Sequence, residues 1–302
     1  MPVYFIRDKG LERAKEEGFA LERDMQQIVE SNLHEAFSLE LIRSEFNLKE
    51  MRIDTLAYDP ESKSFVIIEY KKDRSFSVID QGYSYLSLAL NNKADLVLEY
   101  NDRLGGNLKK DSIDWSQTRV LFVSPEFTKY QKGAIEFQDL PIELWEIRKY
   151  EKGIVVFDHL KPLESSASID TISTKSPTIR EVARQVKVYS ESDHLKGIPA
   201  NIAELFDELK LRLLNLGDVE MVPRKYYIGF KRASNFVATT IYKSQITMWL
   251  NVKKGKLDDP KGIARDVSVV GHWGYGDYQL VVRPASDMDY VMMLVKQSYN
   301  KH

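Results

Sequence analysis

Apolar residues recur at helical spacing from Glu17 to Phe37, where Leu21, Met25, Ile28, Val29 and Leu33 share one face. Runs with strand character follow at Leu39 to Asn47 and Met51 to Tyr58. The turn-forming stretch Asp59-Pro60-Glu61-Ser62-Lys63 separates the second run from a third, Ser64 to Lys72. Helical spacing returns from Ser77 to Asn91, with Ser75 or Ser77 as its cap. Beyond it the pattern predicts a strand at Ala94 to Tyr100, a loop at Gly105-Gly106 and a buried strand at Arg119 to Ser124. A helix at Glu126 to Phe137 and strands at Ile142 to Arg148 and Ile154 to Asp158 complete this region. The order is αβββαβ with additions, an α/β domain with a mixed sheet over residues 1–160.

Residues 161–196 read as a Ser/Thr-rich connector, through Ser165-Ser166-Ala167-Ser168 to Ser176-Pro177, with a short helix from Thr178 to Val188. Residues 197–302 read as a smaller α+β domain with an antiparallel sheet. It has a helix at Ile198 to Leu214 and strands at Tyr226 to Lys231, Phe236 to Tyr242, Gln245 to Val252 and Tyr278 to Val282. A last helix runs from Ser286 to Tyr299, capped by Asp287 or Ser286.

Composition narrows the chemistry. The chain has no cysteine, so a thiolate metal site, a cysteine nucleophile and a disulfide scaffold are excluded, and a cytoplasmic location is expected. No apolar stretch is long enough to span a bilayer, and the N-terminal apolar run is too short for a signal peptide. The net charge of -2 provides no global attraction to nucleic acid, so such binding must come from a local patch. His34, His159, His194, His272 and His302 are not spaced as a metal-binding helix motif.

The most informative pattern is a charge entering an apolar face. A turn centred between Glu61 and Ser62 pairs Tyr58 with Phe65, Leu56 with Ile67, and Asp54 with Glu69. Alternation puts all six on one side, and Lys71 continues that row. Two acids facing each other are destabilising unless something compensates, and a divalent cation does so. The bland alternative is a surface ion pair in which Lys71 bridges the acids. On the opening helix, Glu22 falls about 50° from the centre of the apolar face, whereas Glu30 falls about 130° away, outside it. An acid near a helix start is also favoured there for its own sake. Gln81 and Tyr85 are four apart and share a helix face among Val78, Ile79, Leu86 and Leu88.

The series Glu22, Asp54, Glu69-Tyr70-Lys71 and Gln81…Tyr85, with the αβββαβ order, resembles the PD-(D/E)XK nuclease superfamily, in its RecB-like branch with the Gln-x-x-x-Tyr motif. The resemblance covers residues 17 to 125 and extends towards 160; Ile53 stands where that superfamily often has proline. It implies a restriction-endonuclease-like core and a nuclease hydrolysing phosphodiester bonds, in DNA foremost. It also implies Mg²⁺, with Mn²⁺ able to substitute. Asp54, Glu69 and the Tyr70 backbone carbonyl would ligate the metal. Glu22 would hold bound water or a second ion, Lys71 would orient or help deprotonate the attacking water, and Gln81 and Tyr85 would position the DNA backbone or support Lys71.

Lys72 and Arg74 are expected to meet adjacent phosphates. Lys109-Lys110 either extends that patch or is a solvated loop. The residues after Lys196 are similar to a conserved domain of unknown function sometimes labelled a predicted transport protein. The resemblance rests on Asp258-Asp259-Pro260, Gly271 to Tyr278 and Lys296-Gln297-Ser298-Tyr299. The glycines from Gly271 to Gly276 suggest a tight loop, in which His272 is structural.

Two other readings stand beside the nuclease. In one, a vestigial nuclease fold binds nucleic acid or a protein without catalysis. In the other, the C-terminal domain carries the main function, its aromatics (Tyr226, Tyr227, Phe230, Phe236, Tyr242, Trp249, Trp273, Tyr275 and Tyr278) stacking on bases or on a protein partner. Such aromatics are more often core. A homodimer is compatible with either.

Overall fold

The computed structural model describes residues 2–72, 76–135, 140–161, 176–270 and 276–302. The chain divides into two compact units, Met1–Val188 and Tyr189–His302.

In the first unit a hairpin of β1 (Tyr4–Arg7) and β2 (Gly10–Arg13) precedes α1 (Glu22–Ser31) and α2 (Leu33–Phe37). The sequence predicted one helix from Glu17, but α1 begins only at Glu22. Glu17 instead donates its N–H to the Lys149 carbonyl, and Leu21, which sits in the cap position, is 62% exposed. Asp24 caps the helix by accepting the Leu21 N–H at 2.9 Å. Met25, Val29 and Leu33 are buried as the periodicity requires.

The strands β3 (Glu40–Leu48), β4 (Met51–Asp59) and β5 (Ser64–Tyr70) follow as an antiparallel meander. The turn forms because the Asp59 carboxylate accepts the N–H groups of Glu61 and Ser62 at 2.9 and 3.0 Å. It sets the expected register, with Leu56 opposite Ile67 and Tyr58 opposite Phe65.

The next helix, α3 (Val78–Asn91), is capped by Ser77, whose hydroxyl accepts the Asp80 N–H. The strand expected at Ala94 to Tyr100 is instead helix α4 (Lys93–Leu104). Leu96, Val97 and Tyr100 pack on the core at helical spacing while Leu98 is 60% exposed, and Gly105 ends the helix in the left-handed region. After β6 (Arg119–Ser124) comes α5 (Lys129–Ala134), shorter than the expected helix because a Thr128–Gln131 capping box sets its start. Strands β7 (Ile142–Tyr150) and β8 (Ile154–Leu160) and helix α6 (Pro177–Ala183) finish the unit.

The sheet order is β3-β4-β5-β6-β7-β8, mixed because β5, β6 and β7 run parallel. One face packs α3 through Leu56, Phe65, Tyr85 and Phe122; the other packs α1 through Met25, Val29, Val66 and Tyr70. In the stretch expected to be a connector, Ile179, Val182 and Val186 join the first of these cores, while residues 162–175 lie outside the described residues.

The second unit contains α7 (Glu191–Leu195), α8 (Ala200–Leu214), β9 (Glu220–Pro223), β10 (Ile228–Lys231), β11 (Asn235–Ile241), β12 (Ile246–Leu250), β13 (Arg265–Asp266), β14 (Tyr278–Val282) and α9 (Met288–Tyr299). Its sheet, in the order β13-β14-β12-β11-β10-β9, is antiparallel throughout. The helices α8 and α9 contribute Phe206, Leu209, Val291 and Leu294 to the core beneath it. Asp287 caps α9, as expected. Gly276 has φ +87°, and a Cβ there would lie 1.8 Å from the Leu250 carbonyl oxygen, so only glycine fits.

Candidate active site

The hairpin ladder of β4 and β5 runs from Asp59–Ser64 to Thr55–Ile68, and the same register places Asp54 and Glu69 one step further. At this point side chains take over from the ladder. The Asp54 carboxylate accepts the Tyr70 N–H at 3.1 Å, and the Asp54 carbonyl accepts from the Gln26 amide at 3.0 Å.

Glu69 is 3% exposed. One of its oxygens pairs with Lys71 Nζ at 2.7 Å, and the other, Oε2, is buried without a well-aligned hydrogen bond. Glu69 is therefore buried, while Asp54 beside it is half-buried and lines an open cavity. Burial first, and Glu69 second, push the Asp54 carboxyl up to about 6. Tyr85, on α3, is raised by burial first and then by Glu69, both as a charge and as a hydrogen-bonding carboxylate, with Asp54 after it, and its hydroxyl lies 3.4 Å from the Arg52 carbonyl. Gly82, on the same helix, lets α3 lie close on the sheet, since a Cβ there would meet Ile142 Cδ1 at 2.5 Å. The Gln81 side-chain carbonyl is buried without a partner.

Asp54, Glu69, Lys71 and Tyr85 are thus brought together. Glu22 lines a cavity of about 820 Å³ that also reaches Asp54 and Tyr70, but its carboxylate accepts the Lys72 N–H at 2.7 Å. Among the described residues no group of three His, Cys, Asp or Glu side chains is arranged to hold a metal ion. Two carboxylates with backbone carbonyl and water would be a donor set of the kind Mg²⁺ takes.

Three residues were missed by pattern reading. Gln26 is 8% exposed and bonds Glu30, Ser44 and the Asp54 carbonyl. Glu30 accepts from the Thr55 hydroxyl, so it reaches the sheet despite lying outside the apolar face. Thr55 in turn bonds the Tyr70 hydroxyl at 3.2 Å. A buried glutamine among apolar helix positions was the available signal.

Lys72 Nζ turns back to the Ala20 carbonyl, and Arg74 lies outside the described residues. The Lys109-Lys110 loop sits by Trp115, which stacks on Phe65 at the start of β5, the end away from Lys71.

Of the second unit's aromatics, Tyr227, Phe230, Phe236 and Trp249 are buried, while Tyr226 and Tyr242 are 41% and 50% exposed. His272, Trp273 and Tyr275 lie outside the described residues. Among the described residues no helix is long and apolar enough to cross a membrane.

The family described as "Domain of unknown function (DUF5655)" matches residues 191–302. Among solved structures, a repair endonuclease from Pyrococcus abyssi is 18% identical, covering 40% of this chain and 45% of that chain, with a TM-score of 0.23. A structure of EndoMS with double-stranded DNA is 19% identical over 42% and 46% of the two chains, with a TM-score of 0.23. These matches span less than half of either solved chain. An uncharacterized protein of Haemophilus influenzae is 42% identical over 299 residues, 99% of each chain. At that identity over nearly its whole length, the protein belongs to the same family as its Haemophilus influenzae relative.

Proposed function

We propose that the protein is a metal-dependent nuclease of the PD-(D/E)XK type, hydrolysing phosphodiester bonds in nucleic acid, DNA foremost. The observation that carries this is Glu69, a carboxylate 3% exposed and close enough to the half-buried Asp54 to push its carboxyl up. Burying two acids together is costly unless a cation offsets them.

Asp54 and Glu69, with the Tyr70 carbonyl, would hold the ion. Mg²⁺ or Mn²⁺ bound there would polarise a phosphoryl oxygen and make the attacking water more acidic. Lys71 Nζ, released from Glu69, orients the attacking water and offsets charge on the phosphate. Glu22 fixes the Tyr70–Lys72 segment through the Lys72 N–H. Tyr85 and Gln81 border the pair from α3 and position the substrate backbone.

The test is cleavage of single strands, duplexes, flaps and modified DNA, with RNA counterparts, in Mg²⁺ and Mn²⁺. Wild type should cut at least one of them, and Glu69→Gln should cut none. A Glu69→Gln protein that cuts as well as wild type rejects the assignment.

The Lys71–Glu69 ion pair favours a second reading, a binding module in which the acids are purely structural. Metal titration separates the two, because that module would show no Mg²⁺ or Mn²⁺ affinity dependent on Asp54.

A further inference from the structure

Strands β3 and β4 break their alternation at one point. Ser44 and Thr55 are cross-strand partners, and both turn to α1, where Ser44 accepts from Gln26 and Thr55 donates to Glu30. Two residues further on, Phe46 and Ile53 are partners in the same register, yet they lie in the core that packs α3. Period-two alternation would keep both pairs on one face. The faces switch at the pair between them, Glu45 and Asp54, which is missing from the ladder. Glu45 has φ +52°, a left-handed conformation that a glutamate rarely adopts inside a strand. Such residues persist only where their surroundings hold them.

Asp54 is paired in the ladder with neither β3 nor β5. Two side-chain contacts stand in for the missing rungs. Towards β5 the Asp54 carboxylate accepts the Tyr70 N–H, and towards α1 the Asp54 carbonyl accepts from Gln26. A carbonyl can only accept, so the nitrogen of the Gln26 amide and not its oxygen must face Asp54. Glu22 lies four residues earlier on the same side of α1 and accepts the Lys72 N–H just beyond β5. Helix α1 thus grips both strands past the end of their shared ladder, β4 through Gln26 and the exit of β5 through Glu22.

We infer that Gln26 is a positioning residue for Asp54: its amide takes the carbonyl of the residue that left-handed Glu45 leaves out of the ladder, and so holds the Asp54 carboxylate at the Tyr70 N–H beside Glu69. An apolar side chain of the same length would fill the space next to Met25 and leave the Asp54 peptide unheld. This deepens the nuclease reading, on which it rests only for what Asp54 does once it is in place.

Amide hydrogen exchange of the metal-free full chain, read by NMR, reports the Tyr70 N–H directly. Gln26→Met keeps the side-chain length and removes the donor. In it the Tyr70 N–H should exchange about 10- to 100-fold faster, the protection given by one hydrogen bond to a carboxylate. The ladder amides from Thr55 to Asp59 and from Ser64 to Ile68 should change less than about twofold. Gln26→Glu, which has the same shape and no N–H when ionised, should speed the same amide at pH 8, so poor folding of the methionine variant does not remove the test. Mn²⁺ affinity, read by EPR without substrate, should fall about 10- to 100-fold in Gln26→Met. On a substrate that wild type cuts, kcat should fall while KM stays within about twofold, because Gln26 acts through Asp54. Unchanged Tyr70 exchange overturns the inference. So does faster exchange spread evenly along the β4–β5 ladder, since Gln26 would then only stabilise the sheet, and so does a Gln26→Met protein that binds Mn²⁺ as tightly as wild type. If wild type itself binds no Mn²⁺ and cuts nothing, the nuclease reading fails, and the Tyr70 exchange alone decides whether Gln26 places Asp54.

Discussion

Replacing Asp54 with asparagine changes the charge of the candidate site while keeping its shape. The amide oxygen can still accept the Tyr70 N–H that Asp54 now takes at 3.1 Å. In the fold the Asp54 carboxyl is pushed from an ordinary 3.8 to about 6, by burial first and by Glu69 second. The folded value lies above the unfolded one, so the fold favours the neutral acid. That preference is fully present below about pH 4 and is lost as pH rises through about 6. At pH 7 the charged aspartate therefore costs about 3 kcal/mol at about 1.4 kcal/mol per unit, and partial solvent access reduces this to about 2 kcal/mol. An asparagine side chain, neutral at every pH, avoids the cost. Thermal unfolding of metal-free protein should give Asp54→Asn a Tm about 4–8 °C higher at pH 7 to 8, and the gap should close near pH 4. Saturating Mg²⁺ should raise the Tm of wild type and leave the variant unmoved, since only wild type has the carboxylate pair to bind it. A variant no more stable than wild type at pH 7, or a gap that ignores pH, would show that the buried Asp54 charge carries no such cost.

Lys71→Met removes the ion-pair partner of a carboxylate that is 3% exposed, and urea unfolding should show a loss of about 3 kcal/mol. The double variant Glu69→Gln/Lys71→Met should regain most of that stability and remain inactive. In the second unit, Gly276→Ala forces a Cβ into the Leu250 carbonyl at φ +87°, and the calorimetric transition of that unit should be lost or fall by more than about 10 °C, corresponding to about 3 kcal/mol or more.

The β4–β5 hairpin was legible in the sequence because two local signals agreed. Period-two patterning fixed the faces, and the Asp59 side chain fixed the turn and hence the register. The acid pair followed from that register. Helix α4 was not legible, since Asp95-Leu96-Val97-Leu98 has strand-like residues and only packing of Leu96, Val97 and Tyr100 on the core selects the helix.

The reach of long side chains was also hidden. Glu22 and Glu30 sit at different angles on α1, yet the first bonds the Lys72 N–H and the second the Thr55 hydroxyl. A helical wheel places Cβ atoms and says nothing of where a flexible carboxylate ends.

Anomalous diffraction from crystals of the full chain soaked in Mn²⁺ would locate the ion itself. One peak is expected between the Asp54 and Glu69 carboxylates, with Lys71 Nζ moved off Glu69. No peak there, with Lys71 still paired to Glu69, contradicts a metal site built on these two acids.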